Sequence, residues 1–188
     1  MEAMKINTNF VCFKLIAINV FLFILQSITP IIDKLFILFP PDILTRPWMI
    51  ITAMFLHGNL NHLFQNMFAL LMFGLSLEQI IGKKKFLFIY FITGIIGNIA
   101  GLFFYPLSPS LGASGAIMGI IGALTIISPF TVVYLFGMPM PLLFLSATWI
   151  LVDITGMFFP QEGIGYAAHV FGFFSGILIA KKKKYEKT

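Results

Sequence analysis

Six side chains in this sequence bring chemistry into surroundings that ordinarily exclude it: His57, His62, Asn66, Ser114, Asp153 and His169. Each sits in a stretch free of lysine, arginine and any other acidic residue. A hydroxyl is a weak nucleophile until an adjacent base takes its proton, and imidazole is the side chain suited to that exchange near neutral pH. Ser114 with His169 would make such a pair. Acyl transfer also needs donors aimed at the developing oxyanion. His62, Asn66 and the backbone N–H of Ser114 are the candidates for that duty. His62 and Asn66 are four residues apart and share a helix face. His57 lies five residues before His62, about 140° round a helix or in the preceding loop, and is not expected to join them directly.

The elements that hold these residues are set by composition. Of 188 residues, 59% are hydrophobic and 10% charged, where about 25% charged is usual for soluble domains. A soluble globular protein, a disordered chain and a nucleic-acid binder are excluded. The single cysteine, Cys12, excludes a disulfide scaffold and a cysteine-based zinc site. No Asp, Glu, Lys or Arg occurs across the 31 residues from Pro47 to Leu77, or the 67 from Phe86 to Val152. Backbone polar groups cannot be left bare in lipid, and these runs do not alternate as barrel strands would, so the spans are helices. Punctuation gives six of them, at about 10–29, 59–80, 86–104, 114–128, 142–159 and 165–180. The fold class is therefore an all-α, six-helix membrane bundle, read as one domain over 1–188. Six spans put Lys5, Lys14, Lys83–Lys85, Lys181–Lys184 and Lys187 on one side and only Lys34 and Arg46 on the other. That asymmetry predicts both termini in the cytoplasm. The Lys181–Lys184 run reads as a cytoplasmic anchor, with a lipid-headgroup site as the alternative.

Depth along each span follows from a rise of about 1.5 Å per residue. Ser114, His169 and Asn66 then lie roughly 18–21 Å above the cytoplasmic boundary, and His62 roughly 24 Å. The fourth span has about 15 residues, too few to cross, so its outer end is recessed. Irregular backbone at that depth is tolerated only beside protein or a water-filled cavity, which implies a wet pocket open to the outside. Ser114 sits at that recessed helix N-terminus, where free N–H groups and the positive dipole end face it. Gly115-x-x-x-Gly119 in span four and Ala168-x-x-x-Gly172-x-x-x-Gly176 in span six suit close backbone packing of those two helices.

With these residues together, the chain resembles the rhomboid intramembrane serine proteases. The matching elements are His57-x4-His62-x3-Asn66 in span two, Gly112-Ala-Ser114-Gly115 opening span four, and Ala168-His169-x-x-Gly172-x-x-x-Gly176 in span six. Trp48 in the first loop and Gly74-x-x-x-Glu78 ending span two also fit. The resemblance covers about 10–180. It implies a Ser114–His169 catalytic dyad, an oxyanion hole from His62, Asn66 and the Ser114 amide, and no cofactor. It implies serine endopeptidase cleavage of transmembrane protein substrates near their outer ends, at a small residue beside a helix-destabilising stretch. Access would run past span five, under a mobile cap loop near Phe159–Gly165. The expected setting is a cell membrane, with the bilayer and membrane-protein substrates as partners and neither nucleic acid nor metal. Two positions depart from the family pattern: Met118 stands where many relatives have a tyrosine stacked on the histidine, and Trp48 is followed by Met49 rather than arginine. A thioether can still pack on an imidazole.

Other readings attach to the same residues. Gly112, Gly115, Met118, Gly172 and His57 are assigned structural support, His57 by tying the first loop to span two. Asp153 reaches the depth of His169 and is weighed as a third triad member. The resemblance favours a dyad, so it is read as a structural acid, protonated or hydrogen-bonded. The segment 31–39 is expected to lie in the outer interface. For the whole chain, the alternatives are a catalytically silent relative that binds transmembrane clients, and a channel or transporter with histidines in a proton path. A metalloprotease is disfavoured because His57 and His62 are five apart and no His-Glu-x-x-His motif occurs.

Overall fold

The structure is a computed structural model that describes residues 10–135, 137–161 and 163–182. Its helices are α1 (Val11–Ile28), α2 (Ile31–Phe36), α3 (Met49–Thr52), α4 (Leu60–Ile81), α5 (Lys83–Phe104), α6 (Ser114–Ile127), α7 (Leu142–Phe158) and α8 (Tyr166–Lys182). The six expected spans are α1, α4, α5, α6, α7 and α8. Three of them, α1, α4 and α5, are long and apolar enough to cross a membrane, and the other three are shorter apolar helices. α2 falls in the segment expected at the outer interface. Lys5, Lys183, Lys184, Lys187 and Glu162 lie outside the described residues.

Three local features differ from the sequence reading. Gly82, at φ +78°, alone breaks α4 from α5, and Lys83–Lys85 form the first turn of α5 rather than part of the break. Glycine adopts that conformation without the Cβ clash that other residues meet. The connection between α6 and α7 is an antiparallel hairpin, β1 (Val132–Leu135) with β2 (Met138–Pro141), where only a proline-punctuated loop was expected. Its β-branched and aromatic residues favour extended backbone, and Gly137 at φ +80° serves the turn. Within α4, residues Leu70–Gly74 form a π turn, which widens the helix between its histidine end and its Glu78 end.

The central contact is a seam of glycines between α6 and α8. A Cβ on Gly172 would lie 2.2 Å from the carbonyl oxygen of Gly115, and one on Gly176 would lie 2.0 Å from that of Gly119. No other residue type permits so close an approach. Helix packing in lipid lacks a strong hydrophobic drive and rests on such van der Waals contact. α6 is the core of the bundle: Gly115–Thr125 are all buried. α1 joins at the other end of the molecule through Glu78 of α4. Its carboxylate is 2% exposed and accepts the backbone N–H groups of Val11 and Cys12, both at 2.8 Å. Those are first-turn donors that no helical carbonyl can satisfy, and the helix dipole favours an anion there.

The seam yields a stability prediction. Gly176→Val, two turns along α8 from His169, forces the helices apart and lowers unfolding free energy by about 3 kcal/mol or more. Unfolding in mixed detergent micelles, followed by circular dichroism, measures the loss.

Candidate active site

Ser114 is the first residue of α6. The strand-like segment ahead of it is held inside the bundle by paired backbone bonds between Leu38 and Ser110, at 3.0 and 2.8 Å. The Gly112 amide then donates to the Ala53 carbonyl at 2.9 Å. These bonds satisfy backbone that would otherwise be stranded below the surface. They also fix the recessed N-terminus of a helix of 14 residues, roughly 21 Å long.

The Gly172–Gly115 contact brings α8 against the same end. The His169 ring reaches across, with Nε2 2.8 Å from Ser114 Oγ. Its other nitrogen, Nδ1, lies 3.1 Å from Asp153 Oδ1 on α7. The imidazole thus bridges a hydroxyl and a carboxylate on two other helices. Depth along the spans placed Asp153 level with His169, but the reading as a plain structural acid did not assign it this partner. The angular position of α7 decides that contact, and periodicity does not reveal it in a helix that is apolar on nearly every face.

His62 stands on the opposite wall. A Cβ built on Gly112 would lie 2.9 Å from its Cε1 and Nε2 and 3.8 Å from Ser114 Oγ. Gly112 itself has φ +123°. The Gly58 amide donates to His62 Nδ1 at 3.4 Å, which makes Nδ1 the acceptor and leaves Nε2–H as a donor on the Ser114 side. The Asn59 side chain caps α4 by accepting the His62 amide at 2.8 Å. Asn66 is buried and donates one amide proton to the His62 carbonyl at 2.9 Å. Met118, one turn beyond Ser114, lines the adjoining groove.

His57 lies in the loop before α4, and that loop folds back. Its ring meets the His62 ring edge-on, centroids 5.1 Å apart, although the angular estimate had separated the two. Its amide donates to Gln26 Oε1 of α1 at 3.0 Å, so His57 ties the loop to α1 as well as touching α4. Both ring nitrogens are buried without a hydrogen bond. Burial first, and the neighbouring His62 second, push its imidazole down from 6.5 to about 3, with the Phe55 backbone opposing in part.

Two concavities meet at Ser114, Asn66, Asp153 and His169. One, of about 850 Å³, is polar and is bordered by Asn59, Ser110, Gly112 and the Gln161–Tyr166 loop. The other, of about 470 Å³, is an apolar groove between α4 and α7, walled by Phe64, Phe68, Met72, Leu145 and Trp149. Phe73 and Trp149 meet edge to face in that groove, centroids 5.9 Å apart. A hydroxyl and an imidazole therefore lie where a polar chamber joins an apolar groove. Among the described residues, no three His, Cys, Asp or Glu side chains gather as metal donors.

Comparison with known proteins finds the Rhomboid domain model over residues 44–184. Rhomboid protein 1, mitochondrial, of Saccharomyces cerevisiae is 33% identical over 154 residues, 76% of this chain and 44% of that protein. The putative rhomboid protease YdcA of Bacillus subtilis is 34% identical over 137 residues, 71% of this chain and 65% of that protein. Inactive RHOMBOID-like protein 8 of Arabidopsis thaliana is 38% identical over 77 residues, 41% of this chain and 22% of that protein. The chain spans less than two thirds of the length of each of these relatives.

The depressed basicity of His57 carries a stability consequence. The folded state refuses a proton that the unfolded chain takes up below about pH 6.5, so this contribution is complete above that value and is lost as pH falls towards 3. His57→Leu should flatten the fall in unfolding free energy between about pH 7 and 4, read by the same detergent titration at each pH.

Proposed function

The chain belongs to the rhomboid family, and on that premise we propose that it is a serine endopeptidase that cuts transmembrane segments, with Ser114 as nucleophile and His169 as general base. One observation carries the reading: Ser114 Oγ and His169 Nε2 stand 2.8 Å apart on the wall of an open polar chamber. In the proposed cycle, Oγ attacks the scissile carbonyl carbon while its proton passes to Nε2. The carbonyl oxygen becomes an oxyanion, and collapse breaks the C–N bond as Nε2 returns the proton to the departing amine. Water then attacks the acyl-enzyme, giving its proton to Nε2, and Ser114 leaves with that proton restored.

The oxyanion would form beside the first-turn amides of α6, whose N–H groups have no helical acceptor. His62 Nε2–H, its tautomer set by Gly58, is the proposed side-chain donor, and Asn66 the second. The groove between α4 and α7 is the proposed dock for a substrate helix. Its apolar lining suits a segment arriving from lipid, and it ends at Ser114. We place the protein in a cell membrane with both termini cytoplasmic. Among the described residues, Lys14 at the start of α1, Lys83–Lys85 at the start of α5 and Lys181 at the end of α8 support that orientation. The relative named inactive keeps a silent, client-binding role as the competing reading.

Three outcomes test this. Ser114→Ala abolishes cleavage of a reconstituted transmembrane peptide, by at least ~10³-fold, while the variant unfolds at the parent's detergent midpoint. Parent protein that neither cleaves such peptides nor reacts with a fluorophosphonate supports the silent role instead. Gly112→Ala pushes a methyl into the His62 ring and onto a backbone that disfavours it. Its kcat falls by about 10²–10³-fold, the scale of one lost oxyanion donor.

A further inference from the structure

Asp153 is 8% exposed and is the one ionisable residue of α7, a helix of mostly apolar residues. A buried acid in such a setting is costly unless it is paired. Its partner is the nitrogen of His169 that faces away from Ser114. The one ring therefore holds a carboxylate at Nδ1, 3.1 Å away, and a hydroxyl at Nε2, 2.8 Å away.

Register explains why the two helices meet there. Gly156 lies three residues after Asp153 on α7, and Tyr166 lies three before His169 on α8. The helices run antiparallel, so the pair Gly156–Tyr166 sits one turn from the pair Asp153–His169 on matching faces. A Cβ on Gly156 would be 2.3 Å from the Tyr166 ring. The bare backbone of Gly156 lets α7 settle against that buried ring, and this close seat sets the distance over which Asp153 reaches His169.

We infer that Asp153 is a positioning residue that completes a Ser114–His169–Asp153 triad, acting through His169 rather than on substrate. The inference rests on the protease reading above. An ionised carboxylate can only accept, so it draws the ring proton to Nδ1. Nε2 is then the bare nitrogen turned to Ser114, as a general base requires. The opposite tautomer would donate from Nε2 to Oγ and could not take its proton. When Nε2 receives the serine proton, the resulting imidazolium lies beside the negative carboxylate, and no proton need move to Asp153. His62, on α4, faces the same chamber as His169. Asp153 also rides on α7, one wall of the groove proposed to receive substrate. The same helix that borders the dock thus orients the base.

The test compares Asp153→Asn and Asp153→Glu with the parent in liposomes, with Ser114→Ala alongside. Readouts are kcat, KM for a transmembrane peptide, the rate of Ser114 labelling by a small fluorophosphonate, and the unfolding midpoint. Asp153→Asn should lose about 10²–10⁴-fold in kcat with KM little changed, and labelling should slow in parallel. Asp153→Glu should recover part of both. A purely structural acid that pins α7 predicts a different pattern: KM shifts, while labelling by the small probe holds or quickens. That pattern, or parental kcat in folded Asp153→Asn, overturns the inference. Should Asp153→Asn not fold, Asp153→Ser is judged on the same criteria, and failure of both to fold assigns a structural role and overturns it too. Cleavage surviving in Ser114→Ala sinks the protease reading itself, a separate result.

Discussion

The contact on which the rest of the molecule depends is the bare-backbone seam between α6 and α8. Gly172 on Gly115 and Gly176 on Gly119 bring two main chains to a separation that side chains would forbid. Lipid offers no strong hydrophobic drive for helix pairing, so close van der Waals contact carries the association. The seam begins one residue past Ser114 and three past His169. Its closeness is why a hydroxyl on one helix and an imidazole on the other meet at 2.8 Å.

A second constraint concerns where the backbone may be irregular. The segment before Ser114 is neither helix nor lipid-exposed. It is bonded to Leu38 and Ala53 of the first loop, a loop with its own small core of Leu38, Met49 and Ala53. That support keeps the N-terminus of α6 below the surface with its first amides facing a polar chamber. The loop does further work through His57, which braces the His62 ring and is anchored to Gln26 of α1. Parts of the chain that carry no proposed chemistry thus aim the parts that do.

The Asp153–His169 contact joins a third helix to the two that carry Ser114 and His169. α7 is apolar on nearly every face, and one carboxylate among those faces meets the rear nitrogen of the ring. The meeting depends on Gly156 yielding space to Tyr166 one turn away. A larger residue at that position would separate the helices without touching any of the proposed chemical groups.

The sequence by itself determined the membrane class, six spans within a few residues of their observed bounds, the short recessed fourth span and the glycine spacing. Each of these is a one-dimensional property: hydropathy run length, punctuation, and periodicity along a single helix. The similar depth of Ser114, His169, Asn66 and Asp153 was legible for the same reason, since rise per residue is constant. Tertiary structure decided everything that depends on rotation about a helix axis or on a loop folding back. It turned Asp153 towards His169, laid the His57 ring on His62, set the His62 tautomer through Gly58, and folded the α6–α7 connection into a hairpin. Helices that are apolar all round carry no mark of which face turns inward, and loops bond to whatever the packed helices bring near.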